Sequence, residues 1–137
     1  MIVGGLEKTG VLHDLATAIG SASGGNRALL LTLVLWPSAL LSTVLDNVPF
    51  AAAMVPVVRD IAFQQGLAVQ PLGWALALGA DFGGNATPVG GSANVVGLAV
   101  AEKGGTHVRW GEYLRIAVPA TLLSVAIANV LLLLRYA

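Results

Sequence analysis

Hydrophobic residues fall into long runs along the chain, and polar stretches interrupt two of these runs midway. Residues 28–45 are apolar until Asp46-Asn47-Val48-Pro49, after which only a short apolar arm follows. So short an arm cannot cross a hydrocarbon core that takes about 20 helical residues to span. We therefore predict a re-entrant hairpin over residues 28–58, with Asn47 capping the second arm and Pro49 in its first turn.

The second interruption lies within residues 72–101. Apolar segments there enclose residues 81–94, which are rich in glycine and small polar side chains. Non-helical backbone at membrane depth is tolerated only where it is buried in protein or lines a cavity, and broken helices of this kind often mark a transport site. We therefore predict a broken transmembrane helix over residues 72–101, whose central loop forms half of an ion or substrate site.

The other segments have simpler patterns. Residues 11–20 have the spacing of an interfacial helix with one polar face. Residues 113–135 are predicted to be the last transmembrane helix, because aromatic and basic residues flank them as they flank membrane spans. Residues 1–6 look like the end of a membrane helix whose start is missing, so we expect a fragment of a longer protein. Connections are predicted at residues 20–26, 62–71 and 102–112.

Composition supports an all-α polytopic membrane protein. Hydrophobic residues make up 56% of the chain and charged residues 10%, whereas soluble domains carry about 25% charged residues. The lipid bilayer is therefore an expected partner. The formal net charge is zero, which gives no sign of a nucleic-acid partner. The sequence has no cysteine, which excludes disulfides and thiolate metal sites.

The polar interruption at residue 46 is the first candidate site. An ionisable residue at membrane depth costs about 2.5–3.5 kcal/mol, so Asp46 is expected to have a function. The alternative is a surface loop that joins two ordinary helices, and the shortness of residues 50–58 counts against it.

The loop over residues 81–94 is the second candidate. Its alternatives are a water-exposed linker between interfacial helices and a phosphate-binding loop, but no Gly-Lys-Ser/Thr ending follows. Half-helix N-termini after Asn47 and after Asn94 would direct positive dipole ends at the cavity. Side-chain oxygens of Asn47, Asn85, Thr87 and Ser92 would suit a small cation such as Na⁺. The candidate ion-binding residues are Asp46, Asn47, Pro49, Asp81, Gly84, Asn85, Thr87, Gly90, Ser92 and Asn94.

Three segments, residues 3–10, 45–56 and 79–96, resemble the second half of the ion transporter superfamily permeases. This superfamily includes arsenite permeases, sodium–proton antiporters, the melanosomal P protein, and citrate and dicarboxylate carriers. The resemblance implies one inverted-repeat half with a re-entrant hairpin and a broken helix. It also implies a missing N-terminal half and a homodimer. It places Asp46, Asn47 and Pro49 at the hairpin tip, and the site glycines, Asn85, Thr87, Ser92 and Asn94 in the broken-helix loop.

The function expected from this resemblance is secondary active transport of an inorganic ion, driven by Na⁺ or H⁺ across the plasma membrane. The chain alone is expected to be inactive, and it is not expected to be an enzyme or to hold a cofactor. A sodium-coupled citrate, dicarboxylate or oxyanion carrier is the alternative. Dicarboxylate carriers have Ser-Asn-Thr at the hairpin tip, whereas Asp46 and Asp81 would repel a dianion. A non-transporting scaffold or a truncated product is the alternative of another class.

Overall fold

The structure, a computed structural model, describes residues 11–137, so the segments predicted at residues 1–6 and 3–10 lie outside the described residues. The described part is all-helical and contains no strand, which confirms the predicted all-α class. Its helices are α1 (Val11–Ser23), α2 (Arg27–Ser42), α3 (Asn47–Gln64), α4 (Val69–Gly84), α5 (Ser92–Lys103) and α6 (Trp110–Tyr136).

The connections on either side of the α2–α3 pair are shorter than predicted. Helix α1 continues to Ser23, whose buried hydroxyl donates to the carbonyl oxygen of Gly20 at 2.6 Å. The turn is thereby confined to Gly24 and Gly25, whose φ angles of 56° and 80° favour glycine. Helix α3 runs on to Gln64, so the connection to α4 is residues 65–68 rather than 62–71.

Helix α4 is the central element, since it packs against both arms of the α2–α3 pair and against α6. Its contact with α2 is close because two glycines lie four residues apart on one face. A Cβ atom at Gly79 would lie 2.5 Å from the Leu35 carbonyl oxygen, and one at Gly83 would overlap the Ala39 backbone. Small residues of this kind let helix backbones approach where lipid surrounds the bundle.

The hydrophobic core lies between α2, α3, α4 and α6, and the largest buried side chains include Leu30, Leu35, Val57, Ile61, Leu72 and Val125. A polar contact joins α2 to α6 beside it, because the Thr32 hydroxyl lies 3.0 Å from Asn129 Oδ1. This contact is a side-chain hydrogen bond between two helices of the bundle.

Helices α5 and α6 expose most of their apolar surface. Within the described residues, α6 is the one helix both long and apolar enough to cross a membrane, at 27 residues. Helix α2 is apolar but shorter. Helix α5 has no buried side chain, and its Val95, Val96 and Val100 are all exposed. The four-helix core of α2, α3, α4 and α6 therefore leaves α5 without extensive packing inside the described part of the chain.

A candidate ion site between the α2–α3 turn and the α4–α5 loop

The α2–α3 turn, residues 43–46, is held to α4 by a fully buried serine. Ser42 ends α2, and its hydroxyl oxygen lies 2.7 Å from the carbonyl oxygen of Ala80 on α4. The same oxygen lies 2.7 Å from one amide atom of Asn47, the first residue of α3. The buried Ser42 hydroxyl thus connects the end of α2, the start of α3 and Ala80 of α4.

The partners of Asn47 determine which way its amide points. One amide atom faces three oxygens: Ser42 Oγ at 2.7 Å, Ala80 O at 3.0 Å and Gly90 O at 3.2 Å. Carbonyl oxygens only accept hydrogen bonds, so the atom that faces them is the amide nitrogen. The other amide atom, which is then the oxygen, lies 3.4 Å from Asp81 Oδ1. Two oxygen acceptors therefore face each other between α3 and α4.

The α4–α5 loop, residues 85–91, is packed directly on this turn. The Thr87 hydroxyl donates to the Thr43 carbonyl oxygen. A Cβ atom at Gly84 would overlap the Asn47 amide, and one at Gly90 would lie 2.9 Å from the Thr43 carbonyl oxygen. Glycine at position 90 therefore lets the loop backbone contact the turn backbone, and glycine at position 84 leaves room for the Asn47 side chain.

Asn94 fixes the shape of the same loop from the first turn of α5. Its amide nitrogen donates to the carbonyl oxygens of Gly84 at 2.9 Å and Thr87 at 3.1 Å. These carbonyls belong to the end of α4 and to the loop, where no helical N–H group reaches them. Asn94 therefore closes the loop onto itself and holds it against the turn.

The predicted starts of two helices were wrong, and so was the predicted cap of α3. Asp46, not Asn47, occupies the N-cap of α3, and it makes no side-chain capping bond. Helix α5 begins at Ser92 with Gly91 as its N-cap, so Asn94 lies inside the first turn rather than before it. In both places the asparagine amide is engaged elsewhere, with the opposite element or with the loop. Pro49 lies in the first turn of α3, where a missing N–H group costs nothing.

The sequence-predicted site residues do not all meet. Asn47, Asp81, Gly84, Thr87, Gly90 and Asn94 lie at the junction of turn and loop. The exposed Asn85 instead donates to the Asp81 carbonyl oxygen at 3.1 Å, and its own carbonyl accepts from the Tyr113 hydroxyl of α6 at 3.1 Å. Ser92 is exposed at the start of α5.

Sequence reasoning missed Ser42, Thr43 and Tyr113. A signal for the first two was present, because adjacent hydroxyl residues end an apolar run just before Asp46. Tyr113 carried no such signal, since it was read as an interfacial aromatic. The described residues contain no cluster of three or more His, Cys, Asp or Glu side chains. A cation at this junction would therefore be held by amide, hydroxyl and carbonyl oxygens together with Asp81.

Comparison with known proteins gives the family. The family described as citrate transporter matches residues 1–137. A "46 kDa membrane protein" of Mycobacterium leprae is 43% identical over 138 residues, which cover 99% of this chain and 32% of that protein. A protein named as an uncharacterized transporter of Mycobacterium tuberculosis has the same identity and coverage. The human P protein is 40% identical over 108 residues, which cover 77% of this chain and 13% of that protein.

The chain thus spans about a third of the length of the first of these relatives. No solved structure matches it. The resemblance to the ion transporter superfamily permeases, which include the P protein, is confirmed by these matches. The two mycobacterial relatives are named as a membrane protein and as a transporter, which indicates a membrane location for this chain. The chain belongs to the citrate transporter family.

Proposed function

We propose that the chain is the C-terminal half of a secondary active transporter in the plasma membrane, which moves an inorganic ion and is driven by Na⁺ or H⁺. The observation that carries the proposal is the pair of facing oxygens, Asn47 Oδ1 and Asp81 Oδ1, between the α2–α3 turn and α4. Two acceptors at 3.4 Å have no hydrogen bond to offer each other, so a proton or a metal cation between them would satisfy both.

A cation between these two oxygens would connect α3 to α4, which belong to different parts of the site. Asn47 starts the second arm of the helix pair, and Asp81 lies one turn before the break between α4 and α5. A cation bound by both favours the closed junction over any arrangement in which the turn and the loop separate. A ligand shifts such an equilibrium by its difference in affinity for the two arrangements, which is how ion binding is coupled to a conformational step.

The arrangement of helices supports a re-entrant hairpin and a broken helix. Helix α2 is too short for an ordinary membrane span, and the turn at residues 43–46 lies beside the break at residues 85–91. The four helix ends at this junction offer carbonyl oxygens from α2 and α4 and N–H groups from α3 and α5. Discontinuous helices use such ends to bind ions and substrates near the bilayer midplane.

The junction is half of a site in this proposal. It lies at the surface of the described residues, since Asp81 is exposed there. The chain spans 32% of the first relative's length, so a second, inverted half is the expected cover. The chain alone is therefore proposed to be inactive. The homodimer implied by the family resemblance stays a prediction.

The test is the thermal stability of the full-length transporter in detergent, with Na⁺ titrated against choline at fixed ionic strength. A ligand that binds only the folded state stabilises it by about 2.7 kcal/mol at a hundredfold excess over Kd. We expect Na⁺ to raise the melting temperature, and we expect Asp81→Asn to abolish that rise. Asp14→Asn is the matched control, because Asp14 is exposed on α1.

Proton coupling gives a different result in the same assay. Na⁺ then has no effect, and the melting temperature of the wild type changes with pH. Asp81→Asn removes the dependence in either case. A protein whose stability responds neither to Na⁺ nor to pH, or responds equally with Asp81→Asn, would contradict the proposal and favour a scaffold without a transport role.

Citrate transport is the second candidate, and the description of the matching family favours it. Citrate is anionic at neutral pH, and the Asp81 carboxylate opposes an anion at the junction. Neutralisation of Asp81 by the coupling ion would relieve that repulsion and would make citrate binding depend on Na⁺ or H⁺. Stabilisation by citrate that appears only when the coupling ion is present would select this candidate over an inorganic ion.

A further inference from the structure

Two cavities meet at the C-terminal end of α6, far along the chain from the residues of the ion site. The first is a groove of about 490 Å³ between α4 and α6. Its walls are mostly apolar and include Trp74, Leu78, Phe82, Ile127 and Leu131. Trp74 is half exposed in this groove, so a molecule in the groove would touch the indole ring.

The second cavity is more polar and has a volume of about 350 Å³. It lies between the first residue of α2, the turn that joins α3 to α4, and the end of α6. Its lining includes the guanidinium-bearing residues Arg27 and Arg135 and the phenol-bearing Tyr136. Arg135 and Tyr136 also line the apolar groove, so the two cavities adjoin at these side chains.

The two arginines are available to a ligand. Both are exposed. The ion pair found among the described residues joins His107 to Glu102, and neither arginine has a carboxylate partner within that part of the chain. The two positions are distant in sequence, and the fold brings them to one cavity. Ala137 lines the same cavity, and a carboxylate there would oppose an anion but would still leave one net positive charge.

A ligand that matches both cavities has an apolar chain and an anionic head. We propose that the α4–α6 groove and the adjoining cavity lined by Arg27 and Arg135 (the arginine cavity) together bind an anionic phospholipid. The acyl chain lies against Trp74 and Leu131, and the phosphate lies between Arg27 and Arg135. Guanidinium groups form paired hydrogen bonds to phosphate oxygens, and basic pockets between membrane helices bind lipid head groups. Tyr136 places a polar ring where the head group meets the chain.

A protein segment is the competing occupant of the groove. A helix from elsewhere in the full-length protein would cover the apolar walls, but it would give no reason for two unpaired cations to line the adjoining cavity. The lipid accounts for both features with one molecule. Its head group would also link α2, α6 and the α3–α4 turn, since residues of all three line the arginine cavity.

Fluorescence quenching by lipids with brominated acyl chains tests this inference in the full-length protein. The Trp74 signal is obtained as the difference between the wild type and Trp74→Phe, whatever other tryptophans are present. We expect brominated phosphatidylglycerol to quench this signal at a several-fold lower mole fraction than brominated phosphatidylcholine. Arg27→Gln and Arg135→Gln should each remove the preference, whereas Arg59→Gln should keep it because exposed Arg59 lines neither cavity.

Either of two results would overturn the inference. Equal quenching by both lipids would mean that the groove is open to bulk lipid without recognition of the head group. Absence of quenching by either lipid would mean that protein covers the groove. If Arg135→Gln fails to fold, the same comparison can be made with Arg27→Gln. It can also be made with the wild type at high salt, where the preference for phosphatidylglycerol should be lost. None of these results depends on transport, so the lipid site and the ion site can fail separately.

Discussion

At the scale of single residues, Asn47 uses its two amide atoms differently. The nitrogen is surrounded by three oxygens, which belong to Ser42, Ala80 and Gly90. The oxygen is directed toward Asp81. An amide nitrogen fits these three oxygens, whereas leucine or aspartate would offer them no donor. The identity of the residue is therefore determined by both elements that it touches.

Asn47→Asp should destabilise the protein even though it changes one atom. A carboxylate oxygen would replace the donating nitrogen and would face the carbonyl oxygens of Ala80 and Gly90. Acceptors left without donors cost about 1–3 kcal/mol each when buried. We expect a melting temperature several degrees lower in detergent. Gln70→Glu is the control for amide-to-acid change, because Gln70 is exposed at the start of α4. Equal melting temperatures for the two variants would refute the assigned amide orientation.

Ser42→Ala should have an effect of similar size for a different reason. The substitution removes a fully buried hydroxyl. Ala80 O and the Asn47 amide are then left without this hydrogen-bond partner. Ser124 offers a matched control, since its hydroxyl contacts only Ala120 O in its own helix at 2.9 Å. We expect Ser42→Ala to lower the unfolding temperature and Ser124→Ala to leave it nearly unchanged. A similar response of both serines would show that Ser42 does not connect the helices.

At the scale of helices, the sequence indicated the interruptions better than the helix ends. Asp46-Asn47 and residues 85–91 of the glycine-rich stretch both lie where one helix ends and the next begins. The ends depend on contacts that the sequence does not show. Helix α3 continues past Arg59 and Asp60, since charged side chains are compatible with an exposed helix face. The helix starts were misassigned because Asn47 bonds across the junction and Asn94 bonds to the loop and the end of α4.

The candidate site, too, was only partly predicted from the sequence. Gly84 and Gly90 were predicted as loop glycines, but Gly84 is the last residue of α4. Gly84 leaves room for the Asn47 amide, and Gly90 leaves room for the Thr43 carbonyl oxygen. The contact at Gly90 joins segments more than 40 residues apart, as does the bond between Thr87 and Thr43. Local pattern cannot indicate which backbone a loop touches. Asn47 and Thr87 were assigned to one cation site from their side-chain oxygens, but these backbone contacts were not predicted.

The contact between α2 and α4 gives a prediction at this scale. Gly83→Ala should push the helices apart, because the added Cβ would overlap the Ala39 backbone. Overpacking of this kind costs about 1–3 kcal/mol. Gly73→Ala is the control in the same helix, since a Cβ there meets nothing within 4 Å. It should stabilise the helix by about 0.5–1 kcal/mol. Thermal melts of the two variants should therefore shift in opposite directions, and a shared direction would contradict the packing.

At the scale of the whole molecule, the proposed second half would explain both the exposed apolar surface of α5 and the open ion site. Helix α5 has no buried side chain, and the candidate ion site opens to the surface beside it. A second half that covers both would bury Val95 and Val96 and would supply the missing ligands of the ion. The same half would provide the opposite gate, which alternating access requires because the site must open to one side of the membrane at a time.

Flux measurements in liposomes distinguish a half-site from a complete transporter. The chain alone should show no flux driven by a Na⁺ or H⁺ gradient, because its site lacks a second gate. The full-length protein should transport, and Asp81→Asn should abolish coupling to the gradient while Asp14→Asn preserves it. Gradient-driven flux by the chain alone would mean that two copies complete the site for each other. Uncoupled flux in the full-length wild type would instead remove Asp81 and Asn47 from the coupling step.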